Sequence, residues 1–184
     1  MDPSSHDEFQ KELDALIGRP AGGTGISIAP DPVNQSMIRH WAAAFEDDNP
    51  IYTDPDAAAA SRFGEIVAPA LMLQTWTMPT PIITGIAERG GQPTITTGES
   101  IMTVFERQGF TGTLAVGSEF EIARHLRLGE VISATNIIES ISEEKQTRLG
   151  RGRFVTWRTT YTSADDEVVG VQKFRILKFI PGSA

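Results

Sequence analysis

Between Ile66 and Trp76 the chain reads Ile-Val-Ala-Pro-Ala-Leu-Met-Leu-Gln-Thr-Trp. Wound as a helix over 69–77, this segment puts apolar side chains on every side, and a helix without a polar face belongs inside a core. Pro79 and Pro81 stop it hard, because proline has no N–H to continue the ladder. At roughly 1.5 Å per residue such a helix is three turns at most. The rest of the chain must therefore supply something that wraps a short buried helix. The segment before it has the opposite character. Phe45 to Asp56 is acidic and turn-forming, with Asn49-Pro50 excluding a helix at Asn49. Asp54-Pro55 reads as an N-cap followed by proline at the first helical position, ahead of the alanine run 57–60. An exposed acidic turn is thus tied through a short helix to a buried one, which is a way to hold a polar group against a pocket.

The wrapping material lies in the C-terminal half. From Phe110 onward the apolar period changes from 3.6 to 2. Phe120 and Ile122 alternate with Glu119 and Glu121, 131–141 is a long β-branched run, Val155 to Tyr161 alternates, and 168–180 is a last strand. Residues 163–167 are a tight connection that makes the last two strands a hairpin. Residues 143–152 read as a longer charged loop, and Gly129 marks a turn that permits positive φ. Helices followed by strands argue an α+β class with an antiparallel sheet, strongly curved if it is to wrap one helix. A long unpaired edge on such a sheet is a liability, so an oligomer is expected.

The N-terminal third is helical. Ser5 and Glu8 form a capping box for a helix over 5–17, with Phe9, Leu13, Leu16 and Ile17 on one face and Gly18 as its stop. Residues 19–30 read as a Gly/Pro-rich loop. Asp31-Pro32 repeats the cap-then-proline device before a helix carrying Val33, Met37, Ile38, Trp41, Ala44 and Phe45 inward. The length of 184 residues suits a single domain over 1–184, with 1–30 as an accessory helix and loop. Residues 82–109 are an inserted excursion that covers one end of the pocket, with a loop at 89–93 and a short helix ending at Gly109.

Net charge is −8, carried unevenly: residues 1–123 hold 6 basic and 17 acidic side chains, residues 124–184 hold 10 and 7. An acidic chain is a poor partner for nucleic acid. The basic C-terminal third suits either a phosphorylated ligand, such as the nucleotide end of coenzyme A, or the wet face of half-buried strands. There is no cysteine, and His6, His40 and His125 are scattered without metal-ligand spacing. The acidic N-terminus lacks the apolar run of a signal peptide and no segment is long enough to span a bilayer, so a cytoplasmic protein is expected.

The segment from Asp47 to Met72 resembles the MaoC-like enoyl-CoA hydratases and dehydratases of the hot-dog fold. Asp47, Asn49, Pro50, Ile51, Asp54, Pro55, Ala58, Phe63 and Gly64 match the family signature. The family histidine five residues after the aspartate is here Tyr52, and the family His-Gly opening the buried helix is Pro69-Ala70. The resemblance implies a curved antiparallel sheet around a short central helix. It implies a 2-enoyl-CoA substrate with no cofactor beyond that coenzyme A thioester, and a site drawn from Asp47, Asn49 and Tyr52, with Pro69, Ala70, Leu73 and Trp76 toward the acyl group. Hydration needs a base for water, an acid for the α-carbon and a donor for the thioester oxygen. In the family an aspartate and a histidine hold the water. Tyrosine, with a reference pKa of roughly 10 against about 6.5 for histidine, is a poor proton shuttle. Asp47 and Asn49 also read simply as turn residues.

Pro32-Val33-Asn34, the helix ending in His40-Trp41, and Leu73 to Pro79 resemble, more narrowly, the non-catalytic MaoC-like subunit of actinobacterial steroid side-chain enoyl-CoA hydratases. Polypeptides of that kind often continue into a zinc-ribbon and OB-type domain, short of which this sequence stops. That resemblance implies a catalytic hot-dog partner, in a heterodimer or heterotetramer, that supplies the Asp/His dyad. Two other readings stand beside it: a self-sufficient hydratase using Asp47, and an acyl-CoA-binding module without hydratase activity.

Overall fold

The computed structural model describes residues 3–87 and 100–182. Its helices are α1 (Pro3–Leu16), α2 (Gln35–Ala44), α3 (Pro55–Ala60) and α4 (Ile101–Arg107), with a 3-10 turn at Pro50–Tyr52 and a central 3-10 helix at Ala70–Thr77. Its strands are β1 (Ile26–Ile28), β2 (Gly112–Ile122), β3 (Ser133–Ile141), β4 (Lys145–Thr147), β5 (Gly150–Thr162) and β6 (Val168–Phe179). They form one antiparallel sheet in the order β1-β3-β5-β6-β2, with β4 paired to the start of β5. Bulges interrupt the register at Ala115/Gly117, Ile138/Ser140 and Tyr161/Thr162. Each bulge bends its strand and raises the local twist, which is how these long strands curve around a helix. The α+β, hot-dog expectation holds.

Alternation along β5 directs Val155, Trp157 and Tyr161 into the core, and β6 answers with Ile176 and Phe174 at paired positions. Two apolar clusters result. The first gathers Ile38 of α2, Met72, Leu73 and Trp76 of the central helix, and Ile132, Ala134, Tyr161 and Val169 of the sheet. The second packs Phe9 and Leu13 of α1 with Val104 and Phe105 of α4 over Ile138, Val155, Trp157 and Ile176. The helix expected to be an accessory is therefore half the lid of a second core. Leu13 and Phe105 are both fully buried there.

Several local expectations are corrected. α1 begins at Pro3, so Ser5 falls inside it and is not its cap. The 19–30 loop contains β1, which exists by pairing with β3. α2 starts at Gln35 with Asn34 as its cap, the Asn34 Oδ1 accepting from Met37 N at 2.9 Å. Asp31-Pro32 does not start it because Val33 is held extended: its N–H donates to Glu130 O and its carbonyl accepts from Gly129 N, both at 2.8 Å. The buried stripe of α2 is Ile38 and Ala42, while Met37, Ala44 and Phe45 are exposed. Residues 143–152 are not a plain loop, since 145–147 pair back on 150–152. The tip 89–93 lies outside the described residues, and the α4 part of the excursion packs with α1 in the second core.

The central helix also differs from its expectation. A 3-10 helix has three residues per turn, so side chains at i and i+3 eclipse and the surface divides into three rows. Leu73 and Trp76 form one row, 3% and 4% exposed, and Met72 lies in the next at 0%. Leu71, Gln74 and Thr77 form the third, which faces outward with Leu71 59% exposed. The helix is wrapped on two sides and open on the third. At the opposite edge from β1, β2 has β6 on one side only, and Leu114 and Val116 are exposed along it.

Candidate functional site

Asp47 follows directly from α2. Its N–H donates to Ala42 O at 2.9 Å, and its Oδ1 accepts from Asn49 N at 3.1 Å. Asn49 Oδ1 in turn accepts from Ile51 N at 3.3 Å. Both side chains thus cap their own turn, the Asx pattern that their residue types favour before proline. Asp47 also borders a surface hollow of about 610 Å³ with Arg39, Ala42, Ala43, Glu46, Asp48 and Thr53. That lining includes neither Tyr52 nor Pro69-Ala70.

Tyr52 closes the 3-10 turn. Its carbonyl accepts from Gln35 Nε2 at 2.9 Å, and its ring packs against the first core cluster. Partial burial, and then the charge of Asp47, push its phenol above the usual tyrosine range. At neutral pH Tyr52 therefore keeps its proton: it can donate a hydrogen bond but cannot take a proton from water. Tyr52 feels the charge of Asp47, but a neutral phenol stands where a dyad needs a titrating imidazole.

The other expected site residues stand at the central helix. Pro69 is buried, precedes the helix and brings no side-chain cap. Its carbonyl accepts from Met72 N at 3.0 Å. The Ala70 N–H makes no hydrogen bond among the described residues, so it is a free donor at the positive end of the helix. Leu73 and Trp76 lie beneath the helix in the core, so they shape the open face from behind and do not form it. The open row contains Gln74, for which sequence reasoning assigned no role. Gln74 Oε1 accepts from Gln172 Nε2 of β6 at 2.9 Å. Its partner lies 98 residues away, so no local pattern could have revealed the pair.

A second group flanks the approach to the helix. The segment 62–68 runs antiparallel to 124–127, with Val67 bridged to Arg127 and Ala68 N donating to Leu126 O at 2.8 Å. There Phe63 lies 4.7 Å from the His125 ring, and Arg62 sits 4.6 Å over Phe63. Burial, and then the Arg62 charge, pull the imidazole below its ordinary range, so His125 is neutral at pH 7. His40, on the outer side of α2, is exposed. Among the described residues no group of His, Asp and Glu has the arrangement of a metal site, and no helix is long and apolar enough to cross a membrane.

A probable enoyl-CoA hydratase alpha subunit of Thermomonospora curvata is 41% identical over 179 residues, 96% of this chain and 54% of that protein. The 3-oxo-4,17-pregnadiene-20-carboxyl-CoA hydratase alpha subunit of Mycobacterium tuberculosis is 36% identical over 164 residues, 89% of this chain and 50% of that one. The chain thus spans about half the length of these curated relatives. In the crystal structure of the ChsH1-ChsH2 complex from Mycobacterium tuberculosis, one chain superposes with a TM-score of 0.82 at 32% identity, covering 97% of this chain and 95% of that one. Residues 21–172 match the FAS1-like dehydratase domain region, which takes in α2, the acidic turn, the central helix and most of the sheet. With that match and a curved antiparallel sheet on a central helix, the chain belongs to the family of FAS1-like, MaoC-like hot-dog dehydratase regions.

Proposed function

We propose that this chain is the shape-giving half of a heteromeric cytoplasmic enoyl-CoA hydratase. In this reading it walls the pocket for a bulky, steroid-sized 2-enoyl group, while a hot-dog partner supplies the aspartate and histidine that handle protons. The observation that carries the reading is Tyr52: a phenol held protonated under the charge of Asp47, in a turn whose Asp47, Asn49 and Pro50 match the family signature. The turn, the cap at Asp54 and the central helix are intact, while the proton-handling residue is not. The Ala70 N–H is what the chain can offer an acyl oxygen. The exposed β2 edge, with Leu114 and Val116, suits a partner's strand. The relatives support the same reading by name, one as a steroid-type carboxyl-CoA hydratase subunit and one within a two-protein complex. Coenzyme A enters only as part of the substrate.

The test uses hydration of crotonyl-CoA and of a steroid enoyl-CoA. The purified chain alone is expected to be nearly inactive. Mixed with a dyad-bearing hot-dog partner it becomes active, and Tyr52→Phe leaves that activity within about twofold. Inactivating the partner's dyad removes the roughly 10²–10⁴-fold that acid–base catalysis contributes. A chain that hydrates enoyl-CoA efficiently alone, and loses this on Asp47→Ala, would establish the self-sufficient reading instead.

A further inference from the structure

The open row of the central helix carries one amide side chain, and that side chain is oriented from behind. Gln172 Nε2 donates both to Gln74 Oε1 at 2.9 Å and to Ser118 Oγ at 2.8 Å, while Gln172 Oε1 accepts from the Tyr161 hydroxyl at 2.7 Å. Tyr161 and Gln172 are 2% and 4% exposed. The direction of these bonds follows from the buried end. A phenol has one proton to give, and among the described residues the Tyr161 proton has no acceptor other than Gln172. An unmade bond at a buried donor is costly, so Gln172 turns its oxygen to Tyr161. Its two N–H bonds then point away, one to Ser118 and one to Gln74. Reversing the amides would strand the Tyr161 proton and one buried Gln172 N–H together.

Gln74 must therefore turn its oxygen inward and its NH2 outward. That NH2 makes no hydrogen bond among the described residues. It sits one 3-10 turn beyond the exposed Leu71, on a helix that buries Met72, Leu73 and Trp76. The free Ala70 N–H lies four residues earlier, at the start of the same helix. The helix thus carries two unpaired donors, the Ala70 N–H at its start and the Gln74 amide on its open row beside Leu71.

We infer that Gln74 is a specificity-determining residue whose outward amide donates to an acceptor oxygen on the acyl group, with Tyr161 and Gln172 as its positioning residues. The occupant is an acyl group that is apolar except for one ketone- or ether-type oxygen, held with its thioester carbonyl at the Ala70 N–H. This rests on the acyl-CoA reading above for the identity of the ligand. It adds to that reading which feature of the acyl group is recognised, and by which atom.

The experiment compares two polycyclic enoyl-CoA thioesters that differ only in a ring ketone against a ring CH2, using the complex of this chain with its catalytic partner. The wild-type complex is expected to favour the ketone in kcat/KM by about tenfold, the discrimination a neutral hydrogen bond sustains. Gln74→Glu is the informative variant. Its carboxylate still accepts from Gln172, so no buried group is orphaned, but its outward atom is now an acceptor. The preference should invert against the ketone, while the matching ring alcohol, which can donate, is retained. Tyr161→Phe should weaken the preference and raise KM for the ketone with little change in kcat. Equal kcat/KM for ketone and CH2 substrates in wild type overturns the inference, as does a Gln74→Glu complex that dissociates in sedimentation, which would assign the amide to the partner. Calorimetric binding of the saturated ketone and CH2 thioesters separates the two readings. A complex that binds with tenfold preference but hydrates neither enoyl substrate keeps the inference and sinks the hydratase reading. One that hydrates both alike does the reverse.

Discussion

Gly170→Ala tests how the sheet receives the central helix. Gly170 lies in β6 opposite Tyr161, and a Cβ built there would stand 2.6 Å from Leu73 Cδ2 and 3.0 Å from Glu121 O. It has no positive φ, so the backbone itself would accept alanine. The contact with Glu121 O is at the limit of what backbone tolerates, and Leu73 is 3% exposed in the first core cluster, so its methyl cannot simply swing away. Overpacking of this kind costs about 1–3 kcal/mol. Against it stands the gain of about 0.4–1 kcal/mol from a less flexible unfolded chain when glycine becomes alanine. The net expectation is a loss of roughly 1–2 kcal/mol, or a fall in Tm of about 2–8 °C at this chain length. Leu73→Ala alone should cost about 2–5 kcal/mol as a truncated core leucine. In that background the clash with Cδ2 is gone, and Gly170→Ala should become neutral or slightly stabilising. Urea denaturation of the four proteins gives the coupling directly. If the two losses simply add, Leu73 does not rest on Gly170, and the close approach of helix to sheet is not what the glycine serves.

What was legible in the sequence was what is decided locally. Asp54 caps α3 as its position before proline predicts, with Oδ1 accepting from Asp56 N at 2.9 Å and Ala57 N at 3.3 Å. The final hairpin closes between Ser163 and Glu167, and the alternation on β5 predicted which residues enter the core. The Asp47–Asn49 turn is built from bonds spanning two residues each, and so was also readable. What failed depends on distant partners. Asp31-Pro32 has every local mark of a helix start, but pairing of Val33 with 129–130 holds it extended. Strand β1 is three exposed residues, Ile26-Ser27-Ile28, too short to show a period, and only β3 makes it a strand. Hydrophobicity marked the central helix as buried but cannot tell three residues per turn from 3.6. That difference is what turns Leu71 and Gln74 outward and leaves Leu73 and Trp76 beneath. The Gln172 network joins residues 11, 54 and 98 positions apart, and glutamine by itself signals nothing.

Asn34→Ala should lower stability by about 1 kcal/mol by removing the α2 cap, while Asp31→Ala should change it little; urea midpoints for the two variants decide which residue starts the helix. The alkaline limb of the stability curve tests the buried tyrosines. The chain has two tyrosines, and burial raises the phenol pKa of both Tyr52 and Tyr161. In the unfolded chain a phenol releases its proton near pH 10. The folded chain retains it above that pH, so here the unfolded state binds fewer protons. Stability is therefore complete below pH 10 and falls as pH rises beyond it, until the folded phenols also ionise. Tyr161, 2% exposed, accounts for most of the slope, up to about 1.4 kcal/mol per pH unit, while solvent screens the more exposed Tyr52. Phenolate absorbance and circular dichroism followed together give the check. Expected is a late ionisation of Tyr161 that coincides with loss of structure. Two phenols titrating together near pH 10 in a chain that stays folded would mean that Tyr161 is not held in the core by its bond to Gln172, and the orientation derived for Gln74 would lose its anchor.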